Sequence, residues 1–178
     1  MGDRIIMSVM PIAEFEKVSW DEFLKDCLAC GIKITDYNRE AMYRNWSEIQ
    51  LPTRSTVDSA GYDFHMPFDV CSIYKDTPRI IPTGIRCKIN TGWVLMLYPR
   101  SSMGFKYGFR LNNTVGIIDS DYYNADNEGH IMASVSVNQD IKIYRGDKFC
   151  QGVFVQFGIA KEDRVTTERT GGIGSTGK

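Results

Sequence analysis

Two short segments of this 178-residue chain carry side chains suited to chemistry, and each follows an apolar run. Val115-Gly116-Ile117-Ile118 leads into Asp119-Ser120-Asp121-Tyr122. A carboxylate at the end of a buried strand can orient or deprotonate a water, although a turn with two solvated acids has the same pattern. Tyr98-Pro99-Arg100-Ser101-Ser102-Met103-Gly104 places a guanidinium and two hydroxyls at a possible helix start. That donor set suits a phosphate group, and it is also a common composition for a solvated loop. Ser101 as a nucleophile would want a histidine base. The chain offers His65 and His130, neither with a ligand partner at helical or hairpin spacing, so both read as satisfied surface or core residues and a triad is set aside.

The tail Thr170-Gly171-Gly172-Ile173-Gly174-Ser175-Thr176-Gly177-Lys178 satisfies G-x-x-x-x-G-K but stops where a nucleotide P-loop needs Ser or Thr and then a helix. Its backbone N–H groups and hydroxyls can still wrap phosphates, so a flexible terminus and a phosphate flap both remain open. Asn124-x-Asp126-x-Glu128-Gly129 imitates a calcium loop, but Val135 stands where the closing Glu is required, which excludes calcium. Cys27-x-x-Cys30 closes a helix rather than opening one, and Cys71, Cys87 and Cys150 are isolated singles. Zinc would lack ligands, so buried thiols are expected.

These groups need a scaffold. With 21 basic and 22 acidic residues, 43% hydrophobic and 24% charged, the composition is that of a globular chain of one domain, 1–178. A net charge of −1 gives no general pull on nucleic acid or an anionic membrane, so any anionic ligand must be held by a few placed groups. No apolar window approaches the ~20 residues of a bilayer span. Ile6 spoils a myristoylation signal, and Asp3 and Pro11 spoil a secretory one, which makes the cytoplasm the default location. Residues 14–50 read as a short strand, 14–18, plus a helical insert. Ser19 and Glu22 form a capping box ahead of Trp20, Phe23, Leu24, Cys27 and Leu28 at helical spacing, stopped by Gly31, and a weaker helix spans Asp36 to Ile49. The hairpin packs on the main body or serves as a partner-binding arm. Residues 51–160 are short strands separated by turns at Pro82-Thr83-Gly84, Asn90-Thr91-Gly92 and Arg145-Gly146-Asp147, the pattern of a sandwich, jelly roll or barrel. Residues 161–178 form a mobile tail.

Five segments, taken in order, resemble the trimeric deoxyuridine triphosphatases (dUTPases) over roughly residues 51–178. They are Ser59-Ala60-Gly61-Tyr62-Asp63; Pro99 to Ser102; Asn113 to Tyr122; Arg145-Gly146-Asp147 running to Gln151; and Arg169 through Gly177. The resemblance implies a mainly β, jelly-roll-like domain in a homotrimer with shared active sites, hydrolysing dUTP to dUMP and pyrophosphate with Mg²⁺. It implies Asp119 as the base that activates water, Tyr122 against the deoxyribose, and Asn113 reading the uracil edge. Arg100, Ser101, Ser102 and Gln151 would hold phosphates. Arg169 with Ile173, Gly174, Ser175 and Thr176 would close the γ-phosphate end, and Asp63 would sit in the second shell of a Mg²⁺ held by the triphosphate and waters.

The chain departs from the family pattern in its helical insert, in Ile173 where the family presents a stacking Phe, in a tail one residue short, and in a longer turn at 123–129 whose Asp126 and Glu128 add negative charge. Three rivals are weighed. A dCTP deaminase of the same fold would need a glutamate motif that is not found. A nucleotide-gated regulatory module would bind a protein partner through the N-terminal helices or the 123–129 loop. A capsid-type structural jelly roll leaves the five segments unexplained.

Overall fold

A computed structural model describes residues 10–167, 169 and 171. Along the chain run β1 (Ala13–Lys17), α1 (Trp20–Ala29), α2 (Asp36–Ser47), β2 (Thr53–Arg54), β3 (Tyr62–His65), β4 (Val70–Ile73), β5 (Arg79–Pro82) and β6 (Ile85–Ile89). There follow β7 (Trp93–Pro99), α3 (Ser101–Tyr107), β8 (Arg110–Leu111), β9 (Gly116–Ile118), a 3-10 turn (Ser120–Asn124), β10 (Met132–Ser136), β11 (Ile141–Tyr144) and β12 (Lys148–Gln156). The strands make small antiparallel sheets, β1-β6, β5-β10-β8 and β11-β4, around a five-stranded sheet ordered β2-β3-β12-β7-β9. This is the expected jelly-roll-like β domain, with α1 and α2 between β1 and β2. No helix among the described residues is long and apolar enough to cross a membrane.

The five-stranded sheet does the positioning. Its central strand β12 pairs antiparallel with β3 on one side and β7 on the other, so Gln151 lies opposite both Asp63 and Tyr98. β7 runs out into Arg100 and α3, while β9, paired to β7 through Leu95 and Ile118, runs out into Asp119. Residues up to about 90 apart in sequence thereby leave from one sheet. Alternating burial on β6, β9 and β11 sends Ile85, Cys87, Ile118 and Ile143 into a single core cluster that also takes Phe23, Cys27 and Met42 from the helices.

Helix α1 departs from its expectation in two ways. Its buried face is Glu22, Phe23, Asp26 and Cys27, while Leu28 is half exposed, so the stripe read from hydrophobic spacing is turned toward two acids. The capping box is only half closed as expected: Ser19 Oγ accepts from the Glu22 N–H at 3.2 Å, but Glu22 pairs with Lys25 instead of returning to Ser19. Glu128 takes that place, accepting from Ser19 N–H at 2.8 Å and Ser19 Oγ–H at 2.6 Å. The negative charge expected near the site from Glu128 is therefore spent on capping α1. The α1–α2 hairpin packs on the body: Trp46 Nε1–H donates to Val18 O at 2.9 Å, and Trp20, Tyr43 and Trp46 form an aromatic cluster.

Candidate active site

Of the residues singled out in the sequence, the phosphate set comes together in one cavity of about 360 Å³ lined by Ser55, Ser59, Gly61, Asp63, Arg100, Ser101, Ser102 and Gln151. Asp63 is buried on β3 and organises it. Its Oδ1 pairs with Arg100 Nε at 3.2 Å, and its Oδ2 with Lys148 Nζ at 2.8 Å and the Ser55 hydroxyl at 2.7 Å. Burial alone would raise the carboxyl's pKa, but the Lys148 ammonium, the Ser55 hydroxyl and the Arg100 charge together outweigh it and hold it below the ordinary aspartate value. Asp63 thus fixes a cationic wall from beneath, leaving the Ser101 and Ser102 side chains exposed. Lys148, Ser55 and Ser59 were missed in the sequence. Only the adjacency of Lys148 to Arg145-Gly146-Asp147 could have signalled it.

The nucleoside set lies in a second cavity of about 800 Å³, lined among others by Leu97, Asn113, Gly116, Ile118, Tyr122, Met132, Ser134 and Arg169. Asn113 sits in the turn between β8 and β9, where Thr114 holds φ at +66°. A β-branched residue rarely adopts that left-handed conformation, so the backbone at this turn is strained. Tyr122 is buried on the 3-10 turn, with Asp119 as its N-terminal cap residue, 47% exposed at the side chain. Arg169 stands beside the acidic turn: its guanidinium lies 2.9 Å from Asp119 Oδ2 and 3.1 Å from Asp121 Oδ1, over the Tyr122 ring at 5.4 Å. It stands with the carboxylates and not in the phosphate cavity. Ile173, Gly174, Ser175 and Thr176 lie outside the described residues.

His130, the cysteines and Arg145 resolve as structural, whereas His65, expected to be satisfied, keeps a buried Nδ1 with no hydrogen-bond partner among the described residues. His130 is a satisfied core histidine, with Nδ1 2.6 Å from Asp26 Oδ2 and Nε2 accepting from the Gly84 N–H at 2.8 Å. All five cysteines are free and all but the half-buried Cys30 are buried. Arg145 pairs with Glu48 and with Asp69, tying the turn before β12 to the end of α2.

Residues 47–177 match the family model described as dUTPase. The chain belongs to the dUTPase family. The deoxyuridine 5′-triphosphate nucleotidohydrolase of Lactococcus lactis is 40% identical over 151 residues, covering 82% of this chain and 99% of that protein. Its counterpart in Haemophilus influenzae is 36% identical over 141 residues, covering 74% and 90%. The crystal structure of dUTPase from Streptococcus mutans superposes with a TM-score of 0.60 at 34% identity, covering 83% of this chain and 98% of that one. This dUTPase is accordingly a hydrolase, and the deaminase and capsid rivals fall away.

The donor set also bears on the magnesium expected of a dUTPase. Among the described residues no group of three His, Cys, Asp or Glu could hold a metal ion, and Asp63 is committed to Arg100, Lys148 and Ser55. Arg100 with the hydroxyls of Ser101 and Ser102 fits an anionic phosphate chain that carries its own cation.

Proposed function

We propose that three copies of the chain assemble, so that the phosphate cavity of one and the nucleoside cavity of another form each working site, and that dUTP is cleaved there to dUMP and pyrophosphate. The observation that carries this reading is that Asp63, Arg100, Ser101, Ser102 and Gln151 line one cavity of a single chain while Asn113, Tyr122 and Arg169 line another. One nucleotide needs both donor sets, and a single chain supplies them apart.

Uracil enters beside Asn113 and the strained 113–116 backbone, whose N–H and C=O groups read its edge. The Tyr122 ring fills the space a 2′-hydroxyl would need. Asp119 accepts a proton from a water as the water oxygen bonds to the α-phosphorus. The bond from that phosphorus to the bridging oxygen breaks, and pyrophosphate leaves. Arg100, Ser101, Ser102 and Gln151 donate to the phosphate oxygens where negative charge gathers. A Mg²⁺ brought in with the nucleotide would supply charge neutralisation on the leaving group, alongside Arg100, Ser101 and Ser102, which would hold the phosphates that carry it. Arg169 leaves Asp119 and Asp121 for the phosphate chain as substrate arrives, which frees the base.

The test is pyrophosphate release with Mg²⁺ across dUTP, dTTP, dCTP and UTP, followed by mixing inactive variants. Asp119→Asn and Arg100→Ala should each abolish turnover, and refolding the two together should restore part of it, because mixed trimers contain sites with both residues intact. No recovery in verified mixed trimers would place both residues in one chain's site and overturn the shared arrangement.

A further inference from the structure

The helical insert and the lengthened 123–129 turn look like separate additions in the sequence, but the structure joins them. Tyr122 stands on a 3-10 turn of only five residues, whose poor internal hydrogen bonding cannot hold a side chain rigidly. Its hydroxyl is fixed from outside, donating to the His130 carbonyl at 2.9 Å and accepting from Asn127 Nδ2 at 2.8 Å. His130 is fixed in turn by helix α1. The ring is fully buried beside Phe23, and its Nε2 accepts from the Gly84 N–H, so the proton sits on Nδ1 and is donated to Asp26 Oδ2 at 2.6 Å. Glu128 bonds the start of the same helix through Ser19. Its far end, Ala29 and Cys30, lines the cavity that Tyr122 walls.

We propose that Asp26 is a positioning residue for substrate selection: through His130 it sets the pose of Tyr122, and α1 is thereby part of the nucleoside site. The proposal rests on the reading of Tyr122 as the wall that excludes a 2′-hydroxyl. A buried carboxylate on α1 needs a partner, since an acid there is costly unless paired, and Asp26 finds its partner in His130. The pairing it makes ends at a substrate-facing ring 96 positions away in sequence.

The test measures kcat and KM for dUTP and UTP, well below the melting temperature, in Asp26→Leu, Asp26→Asn and Tyr122→Ala. Asp26→Leu removes the acceptor for His130 Nδ1–H, whereas Asp26→Asn keeps an oxygen in place. Asp26→Leu is expected to raise KM for dUTP and lower the dUTP-over-UTP preference by about tenfold each, small displacements of a positioning group being costly at a tight wall. Its kcat should change far less, and Asp26→Asn should recover most of the preference. A lowered melting temperature with an unchanged dUTP-over-UTP ratio would make the pair purely structural and overturn the proposal. Should Asp26→Leu fail to fold, Glu128→Ala removes both acceptors that tie the same loop to α1 at Ser19, and an unaltered ratio there overturns the coupling of α1 to the site. If Tyr122→Ala itself leaves the ratio intact, the underlying reading of Tyr122 is wrong. If Tyr122→Ala collapses the ratio while the Asp26 variants do not, only the positioning role is lost.

Discussion

Gly61 leaves open the space that the Gln151 amide occupies: a Cβ on Gly61 would stand 2.4 Å from Gln151 Oε1. Gly61 immediately precedes β3, the neighbour of β12 on which Gln151 lies, so the glycine in Ser59-Ala60-Gly61-Tyr62-Asp63 is explained by the glutamine in another segment. Its backbone is not left-handed, so the constraint is steric. Gly61→Ala should push the amide out of the phosphate cavity and raise KM for dUTP about tenfold, a hydrogen bond to a charged group being worth ~1.5–3 kcal/mol. Steady-state kinetics in a Gln151→Ala background checks it, because the second substitution should then add nothing.

Asp63 gives the phosphate cavity a pH signature. Its folded pKa lies below its unfolded one, because Lys148, Ser55 and Arg100 more than offset burial. The stability it contributes is therefore complete above the unfolded value of ~3.9 and is lost as pH falls through the lower folded value. Asp63→Asn should lower the melting temperature near neutrality, and the gap to the parent should close as the pH falls through the unfolded value of ~3.9 and below it. A gap constant across that range in calorimetry would mean the carboxylate charge does not matter there.

The thiols should be quiet. Burial raises the pKa of Cys87 to about 12 and pushes Cys27 and Cys150 higher still, and Cys30 and Cys71 are raised as well. The thiolate is the reactive form. A disulfide reagent should titrate no more than Cys30 in the folded protein, slowly, and all five in denaturant. Rapid loss of two thiols, or a Cys27–Cys30 disulfide in air, would contradict the burial.

By the sequence resemblance, Ile173 takes the position at which the family pattern has a stacking Phe. Base–aromatic stacking is worth ~1–3 kcal/mol, of which an aliphatic side chain recovers part. Ile173→Phe should raise kcat/KM for dUTP several-fold, read from initial rates at subsaturating substrate. An unchanged or lower value would mean that closure over the base does not limit this enzyme.

The sequence by itself determined the family, the strand-rich core and the β1 and α1–α2 positions, and it singled out Asp119, Arg100, Ser101 and Ser102 by their side-chain types. Those features depend on local spacing and on side-chain type, which a string records. It did not single out β3 (Tyr62–His65) or β4 (Val70–Ile73). Nor could it show why α1 buries Glu22 and Asp26 in place of Leu28, why Ser19 is capped by Glu128, or that the phosphate and nucleoside residues part into two cavities. The Ser19–Glu128 and Asp26–His130 pairings span 109 and 104 positions, settled when antiparallel registers and the closing of loops bring distant polar groups within hydrogen-bond reach. A buried acid is tolerable only once its partner is in place, and the tertiary fold alone supplies that partner.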